Sequence, residues 1–327
     1  SMTGGAMIAG SILLGRAMSP VQMIIGVWKQ WRGVMSSYER LTHLLISNPP
    51  RKAGMSLPAP RGDVSVETVT AAPPGAQIPV LKTVSFALNA GDTLGVIGPS
   101  GSGKSSLARL LVGVWPAAMG TVRLDGADIY RWNKDELGPS MGYLPQDIEL
   151  FAGTISENIA RFGELDPDKV IKASQMAGVH DLILHFPQGY DTPIGDAGSG
   201  LSGGQKQRIG LARALYGDPS VIVLDEPNSN LDEAGEASLS RAIIAMRQAG
   251  QTVIIISHRP SILQTTNKLL LLRDGIVQAF GPTDQVLKAL AQAQAQAQGG
   301  AQPPPPAPSA PSTTVSQSEQ QAQAEES

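Results

Sequence analysis

The sequence predicts an α/β domain: a mostly parallel sheet with an antiparallel β subdomain and a helical subdomain attached. Three observations predict it. Short, continuously apolar runs, "TLGVI" (93–97), "VIVL" (221–224) and "TVIII" (252–256), read as strands buried on both faces, as parallel strands are. Asp-Gly pairs at 125–126 and 274–275, set between apolar runs, read as tight hairpins. Residues ~150–185 carry short helical periods with a polar surface, which predicts a helical subdomain between the strands.

Bulk composition sets wide limits. The 327 residues suffice for one or two domains with a full core. With a net charge of −3, nothing points to a nucleic-acid binder held by bulk charge. Cysteine is absent, so there are no disulfides and no thiolate metal sites. The four histidines, at 43, 180, 185 and 258, show no ligand spacing.

The chain divides into four segments. In residues 1–48, "GGAMIAGSILLG" is apolar and uncharged, but alone is shorter than the ~20 residues a bilayer span takes. It lacks a basic leader, so it is not expected to be a signal peptide. Ser19-Pro20 is expected to start a helix, with apolar residues at Val21, Ile24, Trp28, Trp31, Met35, Tyr38 and Leu45, ending at Asn48-Pro49-Pro50. The basic flank of Lys29, Arg32, Arg40, Arg51 and Lys52 suits a membrane helix leaving the bilayer on the cytoplasmic side. Segment 1–48 is therefore expected to be the end of a transmembrane helix with its cytoplasmic extension; an ordinary amphipathic helix is the alternative. Residues 49–63 are a linker, and 64–290 form the main domain. Residues 291–327, rich in Gln, Pro and Ala, cannot bury enough apolar area to offset their ordering entropy and read as disordered.

The main domain holds a phosphate loop. Gly98-Pro99-Ser100-Gly101-Ser102-Gly103-Lys104-Ser105 fits G-x-x-x-x-G-K-[ST], with a strand before it and the helix "SSLARLLVGV" after it. The glycines let backbone N–H groups close on phosphate oxygens at a helix N-terminus. Lys104 should reach the β- and γ-phosphates of ATP, Ser105 should bind Mg2+, and Ser106 continues the cradle. The domain is thus read as a P-loop NTPase core.

Asp225-Glu226 ends the apolar run 221–224, at the strand edge where ligands bind in open α/β sheets. Asp225 can hold Mg2+ and Glu226 can polarise the attacking water. His258 follows "TVIIIS" at the same edge, placed to touch the γ-phosphate and the water. "SGLSGGQKQRIGLARAL" (199–215) looks like a second phosphate-binding turn at a helix start, yet it carries neither carboxylate nor histidine.

A phosphate loop, a glutamine, "LSGGQ", "VIVLDE", "SNLD" and a strand-end His, in that order, resemble the ATP-binding cassette (ABC) family over residues 64–290. The resemblance implies the ABC ATPase fold and a homodimer of head-to-tail cassettes. The "LSGGQ" turn of one chain then closes on the ATP held by the other, which accounts for two phosphate-binding turns. It implies that Ser202, Gly203, Gly204 and Gln205 contact the partner's nucleotide and that Asp232 lies near that site. Gln146 would touch Mg2+ or water, and Asp196 matches an acidic position of exporters. The catalytic set is then Glu226, His258, Lys104 and Gln146.

The wording of "IGDAGSGLSGGQKQRIGLARALYGDP" and "LDEPNSNLDEAGE" is similar to type I secretion ATPases of the alkaline-protease class. That similarity implies a transmembrane domain on the same protein, in the bacterial inner membrane with the cassette on the cytoplasmic side. It also implies a periplasmic membrane-fusion protein, an outer-membrane channel, an unfolded secreted protein as cargo, and no nucleic acid. One departure stands out: Pro73 lies about where many cassettes carry an aromatic that stacks on adenine, so ATP and GTP are expected to serve similarly. A soluble cassette ATPase of the DNA-repair or translation class is disfavoured by the apolar N-terminus and by the lack of a coiled-coil insertion. A regulator without turnover is disfavoured by Glu226 and His258.

Overall fold

The computed structural model describes residues 4–48, 56–195 and 198–299, with side chains through Gln292. The described residues fall into two compact units, one the N-terminal helix and the other beginning at Ser56. Asp196 and the tail beyond Gly299 lie outside the described residues.

The first unit is α1, Gly4–Ser47, a continuous 44-residue helix with no buried side chain. It runs through Pro20, whereas the sequence pattern predicts a start there. The φ of proline fits a helix, and the cost is one backbone hydrogen bond, to the carbonyl of Arg16. Apolar runs on both sides carry the helix across that gap. Joined through Pro20, they supply an 18-residue window of mean hydropathy 1.4, long and apolar enough to cross a membrane by length and composition.

In the second unit, β1 (Val64–Ala71), β2 (Leu81–Leu88) and β3 (Thr93–Ile97) lead to helix α2 (Lys104–Leu111). Then come β4 (Met119–Leu124), β5 (Ala127–Asp128), α3 (Lys134–Leu137) and β6 (Met141–Leu144). The helical subdomain holds β7 (Gly153–Thr154), α4 (Ile155–Ile159), α5 (Pro167–Met176), α6 (His180–Leu184) and β8 (Pro193–Ile194). Helix α7 (Gly203–Leu215), β9 (Val221–Asp225), α8 (Glu233–Gln248), β10 (Thr252–Ile256), α9 (Pro260–Leu263), β11 (Lys268–Arg273), β12 (Ile276–Pro282) and α10 (Thr283–Gly299) complete it. Helix α10 enters the stretch read as disordered from 291, because its amphipathic start at Val286 and Leu287 packs beside Leu263 and Leu269 and nucleates the turns that follow.

The large sheet has the order β12-β11-β3-β10-β9-β6, parallel except for the β11–β12 hairpin. Strands β9 and β10 are buried along their whole length, as their unbroken apolar runs predict. A second, antiparallel sheet has the order β2-β1-β4-β5. Both Asp-Gly pairs make two-residue hairpin turns with positive φ at each residue: Asp125 at 50° and Gly126 at 82°, Asp274 at 51° and Gly275 at 79°. Two large apolar clusters, besides the small one under α10, hold the unit together. One joins the antiparallel sheet to α2 and one face of the large sheet. The other joins α4, α5, α7 and α8 to its opposite face. The C-terminal ends of β3, β9 and β10 therefore open onto one shared edge.

Candidate nucleotide site

The loop between β3 and α2 is shaped by backbone that only glycine accepts. Gly98 has φ of 156°, and a Cβ there would overlap the carbonyl oxygen of Leu272. Gly103 has φ of 98°, and its Cβ would lie 2.7 Å from a Leu81 methyl. These close approaches wrap the loop over the start of α2, whose N-cap Gly103 supplies no side-chain cap. The first N–H groups of the helix are thus left for an anion. Lys104 donates from Nζ to the carbonyls of Gly98 and Pro99, each at 2.9 Å, which holds the loop closed around its own cation.

A cavity of about 740 Å³ opens over this loop. Gly98, Ser100, Gly101, Gly103, Lys104, Ser105 and Ser106 form its floor, and Gln146, Asp225, Glu226 and His258 its walls. Val80 and Ser229 also line it, though the sequence reading singles out neither as a site residue. Ser229 is legible afterwards as the first residue of "SNLD", four residues after Asp225. Val80 had no signal in sequence beyond preceding β2. Ser102 does not line the cavity; it is buried beneath the loop with its hydroxyl unpartnered.

Asp225 is 2% exposed. Burial, with the charge of Glu226 next to it, raises its pKa from the usual 3.8, against a hydrogen bond from Ser105 and the pull of Arg109 and Lys104. Its Oδ1 is buried without a hydrogen-bond partner. An orphaned carboxylate oxygen beside a serine hydroxyl suits a hard divalent cation, which takes oxygen ligands.

Glu226 adopts φ of 51°, a left-handed conformation rare for a side chain of this kind. Its N–H donates to the Ile256 carbonyl at 2.9 Å, so β10 holds it. The His258 ring is exposed, with Nδ1 3.2 Å from Glu226 Oε2.

The "LSGGQ" turn stands elsewhere. Ser202 caps α7 by a capping box: its Oγ accepts from Gln205 N at 3.3 Å, and Gln205 Oε1 accepts from Ser202 N at 2.8 Å. Ser202 and Gly203 are exposed, and Ser202, Gly203, Gly204 and Gln205 are all absent from the cavity lining. Asp232 is absent from it too. It caps α8 by accepting from Gly235 N at 2.9 Å and pairs with Arg208 of α7 at 2.6 Å. Its pKa is lowered, first by the Gly235 N–H and also by Arg208. The sequence motifs thus separate into a cavity set and an exposed set.

Comparison with known proteins follows the same line. A family model described as ABC transporter matches residues 81–229. The chain is 52% identical over 284 residues to the type I secretion system ATP-binding protein PrsD of Rhizobium meliloti (strain 1021), covering 86% of this chain and 49% of that protein. It is 35% identical to the cyclolysin secretion/processing ATP-binding protein CyaB of Bordetella pertussis, covering 88% of this chain and 41% of that protein. Among solved structures, a bacterial Atm1-family ABC exporter with ATP bound matches with TM-score 0.76 and 29% identity, over 88% of this chain and 51% of that one. The chain spans about half the length, or less, of the curated relatives it matches.

Proposed function

We propose that this chain, whose residues 81–229 match the ABC transporter family model, is the ATP-hydrolysing motor of an exporter for type I protein secretion. One observation carries the reading. The phosphate loop, Asp225, Glu226 and His258 share one cavity, while the capped "LSGGQ" turn, exposed at Ser202 and Gly203, lies outside it. A second helix-start phosphate turn that does not line its own chain's cavity fits a nucleotide held by another copy.

The chemistry assigned to the residues is positional. The N–H groups of Gly101, Gly103 and Lys104 cradle the phosphates, and Lys104 turns from its loop carbonyls to the γ-phosphate. Ser105, Asp225 and Gln146 are the residues that would hold Mg2+, which when bound neutralises phosphate charge. Glu226 orients and polarises a water, and His258 holds that carboxylate and the γ-phosphate in register. Ser202 and the N–H groups of Gly203 and Gly204, with Asp232 and Gln205 behind them, close over the partner's ATP.

The likeness to PrsD and CyaB supports the export role: a membrane-embedded homodimer with its own transmembrane domain, the cassette facing the cytoplasm. A periplasmic membrane-fusion protein, an outer-membrane channel and an unfolded cargo protein complete the proposal. Helix α1 is assigned as the end of the last membrane helix and its extension. The test has two arms. Mg-ATP hydrolysis by the purified chain should vanish in Lys104→Ala. Deleting the native gene should remove at least one protein from the culture supernatant and restore it on complementation; an unchanged supernatant would sink the export assignment while leaving the ATPase intact.

A further inference from the structure

Gln207 sits on the first turns of α7, 2% exposed, two residues past the "LSGGQ" turn. Nothing in the chemistry above uses it, yet both ends of its amide are engaged. Nε2 donates to the Glu226 carbonyl at 3.1 Å and to Ser229 Oγ at 3.3 Å. Oε1 accepts from Asn230 N at 2.8 Å. The orientation of the amide is fixed by its neighbours, because a backbone carbonyl can only accept and a backbone N–H can only donate.

These bonds meet the chain where it is strained. Glu226 is held in its left-handed conformation at its N–H by Ile256 and at its C=O by two donors, the Gln207 amide at 3.1 Å and Ser229 N at 3.2 Å. Residues held in sparsely populated backbone regions persist only when their surroundings over-determine them. Of these three restraints, the one made by a side chain comes from the helix that carries the exposed turn. The same helix meets the 226–232 segment twice more. Gly204 packs so closely on the Asn230 carbonyl that a Cβ would lie 2.8 Å from it, and Arg208 pairs with Asp232.

We infer that Gln207 is a positioning residue that pins the Glu226 backbone to the "LSGGQ" helix, so that engagement of the turn by a partner's nucleotide is transmitted to the carboxylate facing the chain's own nucleotide. This rests on the reading that Glu226 polarises the attacking water and that the turn acts on a second copy. The link is short and direct: turn, Gln207 amide, Glu226 carbonyl. It needs no movement of the phosphate loop.

The experiment compares full chains carrying Gln207→Met, Gln207→Glu and Glu226→Gln with wild type. Four quantities are read: kcat and KM for Mg-ATP, ADP affinity by calorimetry, and Tm. Gln207→Met keeps size and loses every polar contact. It should lower kcat by about tenfold or more, with ADP affinity within about twofold and Tm nearly unchanged. Gln207→Glu keeps the acceptor for Asn230 but can donate to the Glu226 carbonyl only when protonated. Burial favours the protonated form, so its kcat relative to wild type should recover as pH falls from about 8 to about 6. Gln207→Met with kcat within about twofold of wild type would overturn the inference, as would parallel losses of kcat, ADP affinity and Tm. If Gln207→Met does not fold, the Gln207→Glu ratio decides, and a ratio flat with pH overturns it. Full turnover by Glu226→Gln would instead sink the underlying assignment of Glu226.

Discussion

The His258 ring stands directly against the Glu226 carboxylate, with Nδ1 3.2 Å from Oε2 and 3.3 Å from Oε1. Glu226 arrives from the end of β9 and His258 from the end of β10, so neighbouring parallel strands deliver the two groups to one cavity wall. His258→Ala should lower kcat by about 100-fold or more while ADP affinity stays near wild type. A variant with kcat close to wild type would remove His258 from the catalytic set.

Lys104 makes its two hydrogen bonds to the loop's own carbonyls, so its removal costs both loop shape and phosphate charge. Lys104→Ala should weaken ATP binding by about 100-fold, the scale of a lost charge-assisted contact pair. Calorimetric titration with ATP reads this directly, and unaltered affinity would contradict the loop assignment.

Asp225 gives a stability prediction with a definite sign. Its folded pKa is raised above the usual 3.8, chiefly by burial, so the folded state holds this proton more tightly than the unfolded chain does. The resulting contribution is complete below the ordinary carboxylate value. It is lost as pH rises through the raised folded value, beyond which the charged, buried form weakens the fold. Asp225→Asn should therefore raise Tm by about 2–4 °C at pH 7.5 without nucleotide or metal, with the gain shrinking towards pH 4. Mg2+ should raise the Tm of wild type more than that of Asp225→Asn. Equal Tm values for the two proteins at both pH values would contradict the burial argument.

Much of this arrangement is legible in sequence because the motifs are local. The phosphate loop, the acidic strand end and the strand-end His each declare their place by an apolar run and a following polar residue. Both Asp-Gly hairpins are legible for the same reason, since only a few residues fit two consecutive positive φ angles. Gln207 and Val80 are not legible. Their roles come from contacts with residues distant in sequence, and neither type carries a signal at its own position. The predicted helix start at Ser19-Pro20 fails because apolar helix on both sides outweighs one missing hydrogen bond. Edge strand β6 lacks the long apolar run of β9, on which it pairs, and so goes unread.

Base selectivity follows from the loop before β2. Pro73 turns the chain there, accepting from Ala76 N at 2.9 Å, and the side chain from this loop that lines the cavity is aliphatic, Val80. Without a stacking ring worth about 1 kcal/mol, ATP and GTP should be hydrolysed with kcat/KM values within about fivefold of each other. Competition kinetics with the two nucleotides would show a strong ATP preference if another group recognises adenine.

The pairing of two chains around nucleotide is the centre of this account, and the mass of Glu226→Gln in mild detergent tests it most directly. Measured by light scattering, that variant should have the mass of two chains with Mg-ATP and of one chain with Mg-ADP. The doubly substituted Glu226→Gln/Gly204→Arg chain should stay single with either. A Glu226→Gln chain that remains single with Mg-ATP and turns over as fast as wild type would contradict the account at both the carboxylate and the turn.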